Sequence, residues 1–345
     1  MASDVTDIDI AALDSYFRAH VAGYSGPLSA QKFATGQSNP TFFVETARGK
    51  YVLRRKPPGA LLKSAHAIER EYAVMQALAQ TAVPVPRMLA LCEDASVIGT
   101  PFYVMAHVDG RIFWDPAVPE VTRADRAAIY DEMNRVLAAL HRVDPQAVGL
   151  GAFGRPGNYF TRQIARWGDQ YRASETGAIP DMDALIVWLA AHLPPDDGRV
   201  AIVHGDYRID NFIFAKDEPK LIAVLDWELS TLGHPFADLA YQCMQWRLPN
   251  EGSFRGLAGV DRAALGIPAE SDYVALYCQR AGIGAMTHWN FYLAFSFFRL
   301  AAILQGVKKR ALTGNASNPE RGLKMGEAVP VLARMAMQLA HEGNS

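Results

Sequence analysis

Cysteine is scarce in this chain. Cys92, Cys243 and Cys278 are three among 345 residues and form no C-x-x-C pair. An odd, widely spaced set excludes a disulfide framework and a cysteine zinc site, and it places the protein in a reducing compartment. A surplus of charge of one sign is missing as well: Lys plus Arg number 34 against 36 Asp plus Glu. No bulk field is therefore present to hold nucleic acid or an anionic membrane. The opening MASDVTDIDI is acidic and lacks the apolar run and cleavage site of an export signal. The most apolar stretch, Phe291 to Val307, is interrupted by Arg299 and Gln305 and falls short of a clean membrane span. These absences lead to the expectation of a soluble cytoplasmic protein with neither nucleic-acid nor membrane partners.

Several familiar signatures are also wanting. The only Gly-Lys pair, Gly49-Lys50, lacks both the upstream glycine and the following Ser or Thr of a P-loop. Gly149 to Gly154 fits G-x-G-x-x-G, but it follows Asp144-Pro145 instead of a strand, and Pro156-Gly157 blocks the helix a dinucleotide fingerprint requires. No G-x-S-x-G elbow is present, and no His/Asp/Glu cluster has zinc-like spacing.

What is present points to two lobes with a cleft, since the chain exceeds the size at which one core stops growing. Ile10, Leu13, Phe17 and Val21 recur at helical spacing. The runs Thr41 to Ala47 and Lys50 to Lys56 flank Arg48-Gly49 as a hairpin, Ala65 to Thr81 reads as a helix, and Pro101 to Val108 as a strand. This gives an α+β class: a small N-terminal lobe, residues 1–108, with an antiparallel sheet and one main helix, then a larger, mostly helical lobe, residues 109–345. The expected helices there are Arg123 to His141, Asp183 to His192, Ser271 to Arg280, Ala285 to Lys309 and Glu320 to His341. Only Val200 to Asp226 breaks the helical trend, with two apolar runs, VAIVHGD and LIAVLD, each closing on an aspartate.

The chemistry concentrates in that break. His204-Gly205-Asp206-Tyr207-Arg208-Ile209-Asp210-Asn211 is followed fifteen residues later by Asp226. Phosphoryl transfer requires a carboxylate for the attacking hydroxyl and oxygen ligands for magnesium across the nucleotide phosphates. The kinase pattern H-R-D-L-x-x-x-N followed by D-F-G has this layout, with Asp206 as base and Asn211 and Asp226 as metal ligands. Either aspartate alone is an ordinary cap or turn residue; together with His204 and Asn211 in register they are a motif. His204 reads as a hydrogen-bonded scaffold, Asp210 as a loop residue, and His141 and His234 as packing or capping residues.

The segments YVLRRKPPG, HGDYRIDNFIF, VLDWELSTLGHPFADLAY and GRPGNYFTRQIARW resemble the aminoglycoside phosphotransferase and choline kinase-like family, and within it the branch fused in animals to acyl-CoA dehydrogenase domains. The resemblance spans most of the chain and implies a bilobal protein-kinase-like fold, ATP, Mg2+ and a small-molecule hydroxyl acceptor. It sets Arg54 where kinases carry their phosphate-binding lysine, with Lys56 on the same strand face as a substitute. It makes Glu71 the helix carboxylate that pairs there, Glu69 being the rival. Thr35 to Asn39, including Ser38 and Asn39, becomes the nucleotide-covering turn, and Met105, His107 and Val108 fall in the hinge that reads adenine through its backbone. Asp238 corresponds to a buried aspartate that holds the catalytic loop. Gly205 and Trp227-Glu228 depart from protein kinases, which removes the expectation of a phosphorylation switch.

The acceptor is less constrained. From residue 237 onward the chain has eleven Lys and Arg against eight Asp and Glu, a poor setting for a polycationic antibiotic. Lys308-Lys309-Arg310 with Arg162, Arg166 and Arg299 would suit an anion, a hydroxy acid or hydroxyacyl-CoA, although a solvated helix end explains the run equally well. Arg54 in place of lysine and the single-glycine turn keep open a nucleotide-binding module without turnover, and family breadth keeps open an aminoglycoside phosphotransferase.

Overall fold

Apolar alternation builds the first sheet. Phe42 and Val44 are buried on one face while their neighbours are not, and the adjacent strand pairs with Phe42 opposite Leu53 and Thr41 opposite Arg54. The computed structural model describes residues 8–33, 39–57, 67–251, 254–284, 286–314 and 318–342. In chain order its elements are α1 (Ile10–His20), β1 (Leu28–Lys32), β2 (Thr41–Thr46), β3 (Lys50–Arg55), α2 (Ile68–Leu78), β4 (Met88–Cys92) and β5 (Phe102–Ala106). There follow α3 (Arg123–His141), α4 (Tyr159–Ser174), α5 (Pro180–Ala191), β6 (Ala201–Val203), β7 (Phe212–Phe214), β8 (Leu221–Val224) and β9 (Thr231–Gly233). The chain continues through α6 (Phe236–Cys243), α7 (Arg262–Leu265), α8 (Glu270–Ala281), α9 (Trp289–Leu312), α10 (Pro319–Gly326) and α11 (Ala328–His341).

Two compact units share these elements. The first takes residues 1–111, 212–217 and 221–230. Its antiparallel sheet has the order β1-β2-β3-β5-β4, and Leu13 and Phe17 of α1 join Phe42, Val44, Leu53, Phe102 and Val104 in one core. Arg54 and Tyr103, directly paired across β3 and β5, share the opposite face. This unit differs from the expected cut at 108, because the hairpin β7–β8 and the turn carrying Asp226 belong to it. The reason is hydrogen bonding: Arg111 and Phe214 exchange two backbone bonds of 2.8 Å, and the Val224 amide donates to the Pro84 carbonyl at 2.9 Å. Gly110 permits this approach, since a Cβ there would stand 2.3 Å from the Phe214 carbonyl oxygen.

The second unit is mostly helical, with β6 and β9 as a small antiparallel ladder. Its centre is α9, which packs against α4, α5, α6, α10 and α11. By length and composition α9 could cross a membrane, but 78 % of its most apolar window is buried inside the chain. The expected single helix from Glu320 to His341 is two, α10 and α11, meeting at Glu327. Glycines set that geometry: a Cβ on Gly326 would lie 2.6 Å from the Lys308 side chain, and one on Gly322 would lie 2.9 Å from Ala311. Among the strands not expected from the sequence, the two longest have physical reasons for escaping it. β1 is a polar edge strand, and β4 is an unalternating run behind Pro84 and Pro86.

Gly110→Ala should lower stability by about 1–3 kcal/mol. Chemical denaturation monitored by tryptophan fluorescence would show this as a lower midpoint; an unchanged midpoint would mean the close approach to Phe214 is not kept.

Candidate active site

The predicted residues divide between the units, and each half has its own geometry. In the first unit the Arg54 guanidinium is the hub. Its Nε lies 3.1 Å from Glu71 Oε2, and its Nη2 lies 2.8 Å from Asp226 Oδ1 and 3.5 Å from Glu228 Oε2. Glu71 projects from α2 and is 1 % exposed. It accepts from Asn39 Nδ2 at 2.9 Å and from the Tyr103 hydroxyl at 3.1 Å. Glu69 pairs instead with Lys56 at 2.9 Å, so the two carboxylates of α2 serve different cations.

Three carboxylates facing one guanidinium leave this half electronegative. Burial opposes the Arg54 charge, but Asp226 and Glu71 outweigh it and raise its pKa. Burial also pushes Glu71 up to about 7; Arg54 opposes the shift, and Asp226 and Glu228 reinforce it. Asp226 sits in the left-handed region at φ 64°, a conformation aspartate tolerates better than most residues. The following Trp227 is fully buried and donates from Nε1 to the Val224 carbonyl at 3.0 Å, which fixes the turn.

The nucleotide-contact residues expected in this unit fare differently. Asn39 is 2 % exposed with its amide nitrogen turned inward to Glu71, so its side chain supports the ion pair. Ser38 lies outside the described residues. Met105 is paired in β5 between Val52 and Met88. His107 and Val108 follow that strand; the His107 amide donates to the Lys50 carbonyl at 3.2 Å, and its ring meets Phe43 edge-on.

In the second unit the loop carrying Asp206 hangs from Asp238 of α6. This carboxylate is fully buried and accepts from the His204 amide at 2.6 Å and the Gly205 amide at 2.8 Å. His141 Nε2 lies 3.2 Å from it, and His141 Nδ1 lies 2.6 Å from the Tyr277 hydroxyl. Burial alone would raise the Asp238 pKa, but His141, His204 and the Gly205 amide together hold it below the usual carboxylate range. Gly205 takes φ 87°, and the Asp206 amide donates back to His204 Nδ1 at 3.1 Å. The backbone of the loop is thus held by Asp238 and His204, while the Asp206 carboxylate meets side chains.

Asn211 Nδ2 donates to the Asp206 carbonyl at 2.9 Å and to Asp206 Oδ2 at 3.0 Å, so its Oδ1 is directed away from both. Arg208 Nε lies 3.3 Å from Asp206 Oδ1 while its Nη2 reaches Asp210 at 3.1 Å. Burial would again raise the Asp206 pKa; Arg208, the Tyr241 hydroxyl bond, His204 and Arg299 bring it below the ordinary value. Arg299, named from the sequence among the cations that would suit an anionic acceptor, is 3 % exposed and donates from Nη2 to the Gly205 carbonyl. Tyr103 and Glu228 in the first unit, and Tyr241 in the second, contact the predicted residues without standing out in the sequence. For Arg299 and Tyr241, a charge inside an otherwise apolar run, and a tyrosine three positions after Asp238 on one helix face, are the available signals.

A family model described as the phosphotransferase enzyme family, APH, matches residues 29–272. The chain belongs to this family. Mouse acyl-CoA dehydrogenase family member 10 is 50 % identical over 326 residues, which is 93 % of this chain and 30 % of the relative. The chain spans less than half the length of the curated relatives it matches. Among solved structures, a provisionally described aminoglycoside phosphotransferase of Ralstonia eutropha is 53 % identical with a TM-score of 0.88, covering 98 % of this chain and 99 % of that one. A choline kinase of Cryptosporidium parvum shares the fold at 11 % identity and a TM-score of 0.68, covering 97 % and 96 %. More distant family members of the same fold, at 14 % identity, were crystallised with hygromycin B and either ADP or AMP-PNP.

The raised Glu71 pKa has a stability consequence. Between its ordinary value of 4.5 and about 7 the folded chain holds a proton that the unfolded chain has released, so stability falls as pH rises through that window. In metal-free protein, Glu71→Gln should flatten the decline of melting temperature between those pH values relative to wild type. Parallel curves would show that Glu71 is ionised throughout.

Proposed function

We propose that this chain is an ATP- and Mg2+-dependent phosphotransferase that moves the γ-phosphoryl group to a hydroxyl of a small molecule, a hydroxy acid or hydroxyacyl-CoA. The observation that carries the proposal is the Asp206 carboxylate, held ionised and oriented by Asn211 and Tyr241 on a loop pinned by Asp238. A carboxylate so placed accepts the proton of the attacking hydroxyl as its oxygen bonds to the γ-phosphorus and the bond to the nucleoside diphosphate breaks. Family membership and the nucleotides held by distant members support ATP, and the dehydrogenase-fused relatives support an acyl-chain acceptor.

The donor set fits magnesium. Asp226 in the first unit and Asn211 in the second each carry an oxygen of the hard kind that ion prefers, and within the first unit the surplus of negative charge around Arg54 is what a divalent cation would offset. Bound there, the ion would neutralise phosphate charge. Arg54 is a charged, forked donor suited to phosphate oxygens.

One observation favours a second reading. Arg54 already pairs with Asp226 at 2.8 Å, so a fixed side-chain cation stands against the expected metal ligand, as a nucleotide-binding module without turnover would allow. Thermal shift and nucleoside diphosphate release separate the two. Mg-ATP should raise the melting temperature of wild type and of Asp206→Asn alike, while the variant should lose about a hundredfold or more in turnover. Stabilisation without diphosphate release from any alcohol would leave the module; no stabilisation by any Mg-nucleotide would remove both.

A further inference from the structure

The segment GRPGNYFTRQIARW opens α4, and nothing above explains its arginines. Trp167 of α4 and Tyr241 of α6 face the same buried cation: the Arg299 guanidinium lies 5.6 Å from the Trp167 ring centroid and 5.4 Å from that of Tyr241. Arg166 lies 5.2 Å from the same indole. Two guanidinium groups therefore share one ring, and the Tyr241 hydroxyl bonds Asp206.

Neither arginine has an ion-pair partner among the described residues, although Arg299 acts on the Asp206 carboxylate from beyond that distance. Among the described residues, no carboxylate stands within ion-pair distance of Arg166 or Arg299, and Arg299 Nε has no hydrogen-bond acceptor although the residue is 3 % exposed. Arg299 makes one hydrogen bond, to the Gly205 carbonyl, which immediately precedes Asp206. Tyr159, the first residue of α4, is 8 % exposed, its hydroxyl has no hydrogen-bond partner among the described residues, and the charges of Arg299 and Arg166 act on it. An uncompensated buried guanidinium is costly, and a second cation beside it adds repulsion. Such an arrangement is stable in function when the ligand supplies the missing anion.

We propose that Arg166 and Arg299, with the Tyr159 hydroxyl, form the acceptor subsite that binds an anionic oxyacid group, so that the alcohol phosphorylated by this chain carries its own negative charge. The inference rests on the phosphotransferase reading above and names the residues that select its acceptor. Because Arg299 is bonded to the peptide just before Asp206, the anion lies a short chain from the reacting hydroxyl, as the carboxylate of a small hydroxy acid does. The phosphates of an acyl-CoA offer the same chemistry from a greater reach. Arg166 is the specificity-determining member open to test, since it is exposed and its replacement leaves the core intact.

The experiment uses the full chain and three probes: 3-hydroxyhexanoate, its methyl ester and 3-hydroxyhexanoyl-CoA. Binding is read without nucleotide by calorimetry, and turnover by ADP release. The free acid should bind and the ester should not. Arg166→Gln should raise the acid's Kd and KM about tenfold or more, with Arg166→Lys intermediate and Mg-ATP stabilisation unaltered. Arg166-dependent binding of the thioester instead of the acid would support the subsite with phosphate as its anion. Equal treatment of acid and ester, or a Kd indifferent to Arg166→Gln for both anions, would overturn it. Arg166-dependent binding in a protein that neither responds to Mg-ATP nor releases ADP would uphold the subsite and sink the phosphotransferase reading. ADP release that favours neutral or cationic alcohols would do the reverse.

Discussion

One buried carboxylate organises the loop that carries Asp206. Asp238 takes two consecutive amides, those of His204 and Gly205, and by doing so converts the end of β6 into a loop of fixed shape. A fully buried carboxylate is tolerated only if its lone pairs are filled, and the His141–Tyr277 pair together with those amides fills them. Removing any one partner would leave charge in a low-dielectric interior, so the loop, α3, α6 and α8 are tied through a single group. This anchor preorganises the loop: its backbone is fixed from α6, and the Asp206 carboxylate is oriented by Asn211 and Arg208.

The other half is built on the opposite logic. Asp238 is satisfied by neutral donors and a histidine, whereas Arg54 is oversupplied with carboxylates. Glu71, Asp226 and Glu228 all address one guanidinium. An arginine serves better than a lysine here, because its planar fork offers separate edges to separate acids. The surplus negative charge makes this half receptive to a cation, and the arginines near Asp206 that lack ion-pair partners among the described residues make the second unit receptive to an anion.

The sequence is legible where chemistry and spacing are coupled. Asp206, Asn211 and Asp226 stand out because strand ends deliver carboxylates at fixed intervals, and α3 emerges with its bounds intact because its apolar positions repeat over many turns. The choice between Glu71 and Glu69 cannot be made from helix periodicity, since both lie on solvent-accessible arcs of an isolated helix; it is decided by which face Arg54 and Tyr103 occupy after β3 pairs with β5. Asn39 escapes for a similar reason. A turn residue next to a strand has no sequence mark telling whether its amide faces in or out, and only the position of Glu71 determines it. Arg299 is legible as one of several cations that would suit an anion, but local sequence does not report that Trp167 and Tyr241 close over it.

The composition of the first unit bears on how such a chain can be rearranged. Its sheet is made by the first hundred or so residues, yet a hairpin and the Asp226 turn, supplied from residues 212–230, complete it. No contiguous cut yields that unit whole, and residues 1–111 by themselves would carry Arg54 and Glu71 without the aspartate they face. A gene for this fold can be joined to another at its ends, but it cannot be divided between its two units without orphaning the hairpin. The covalent path through the chain is therefore interleaved where the folded architecture is separable, and modular shuffling has access to the protein only as one piece.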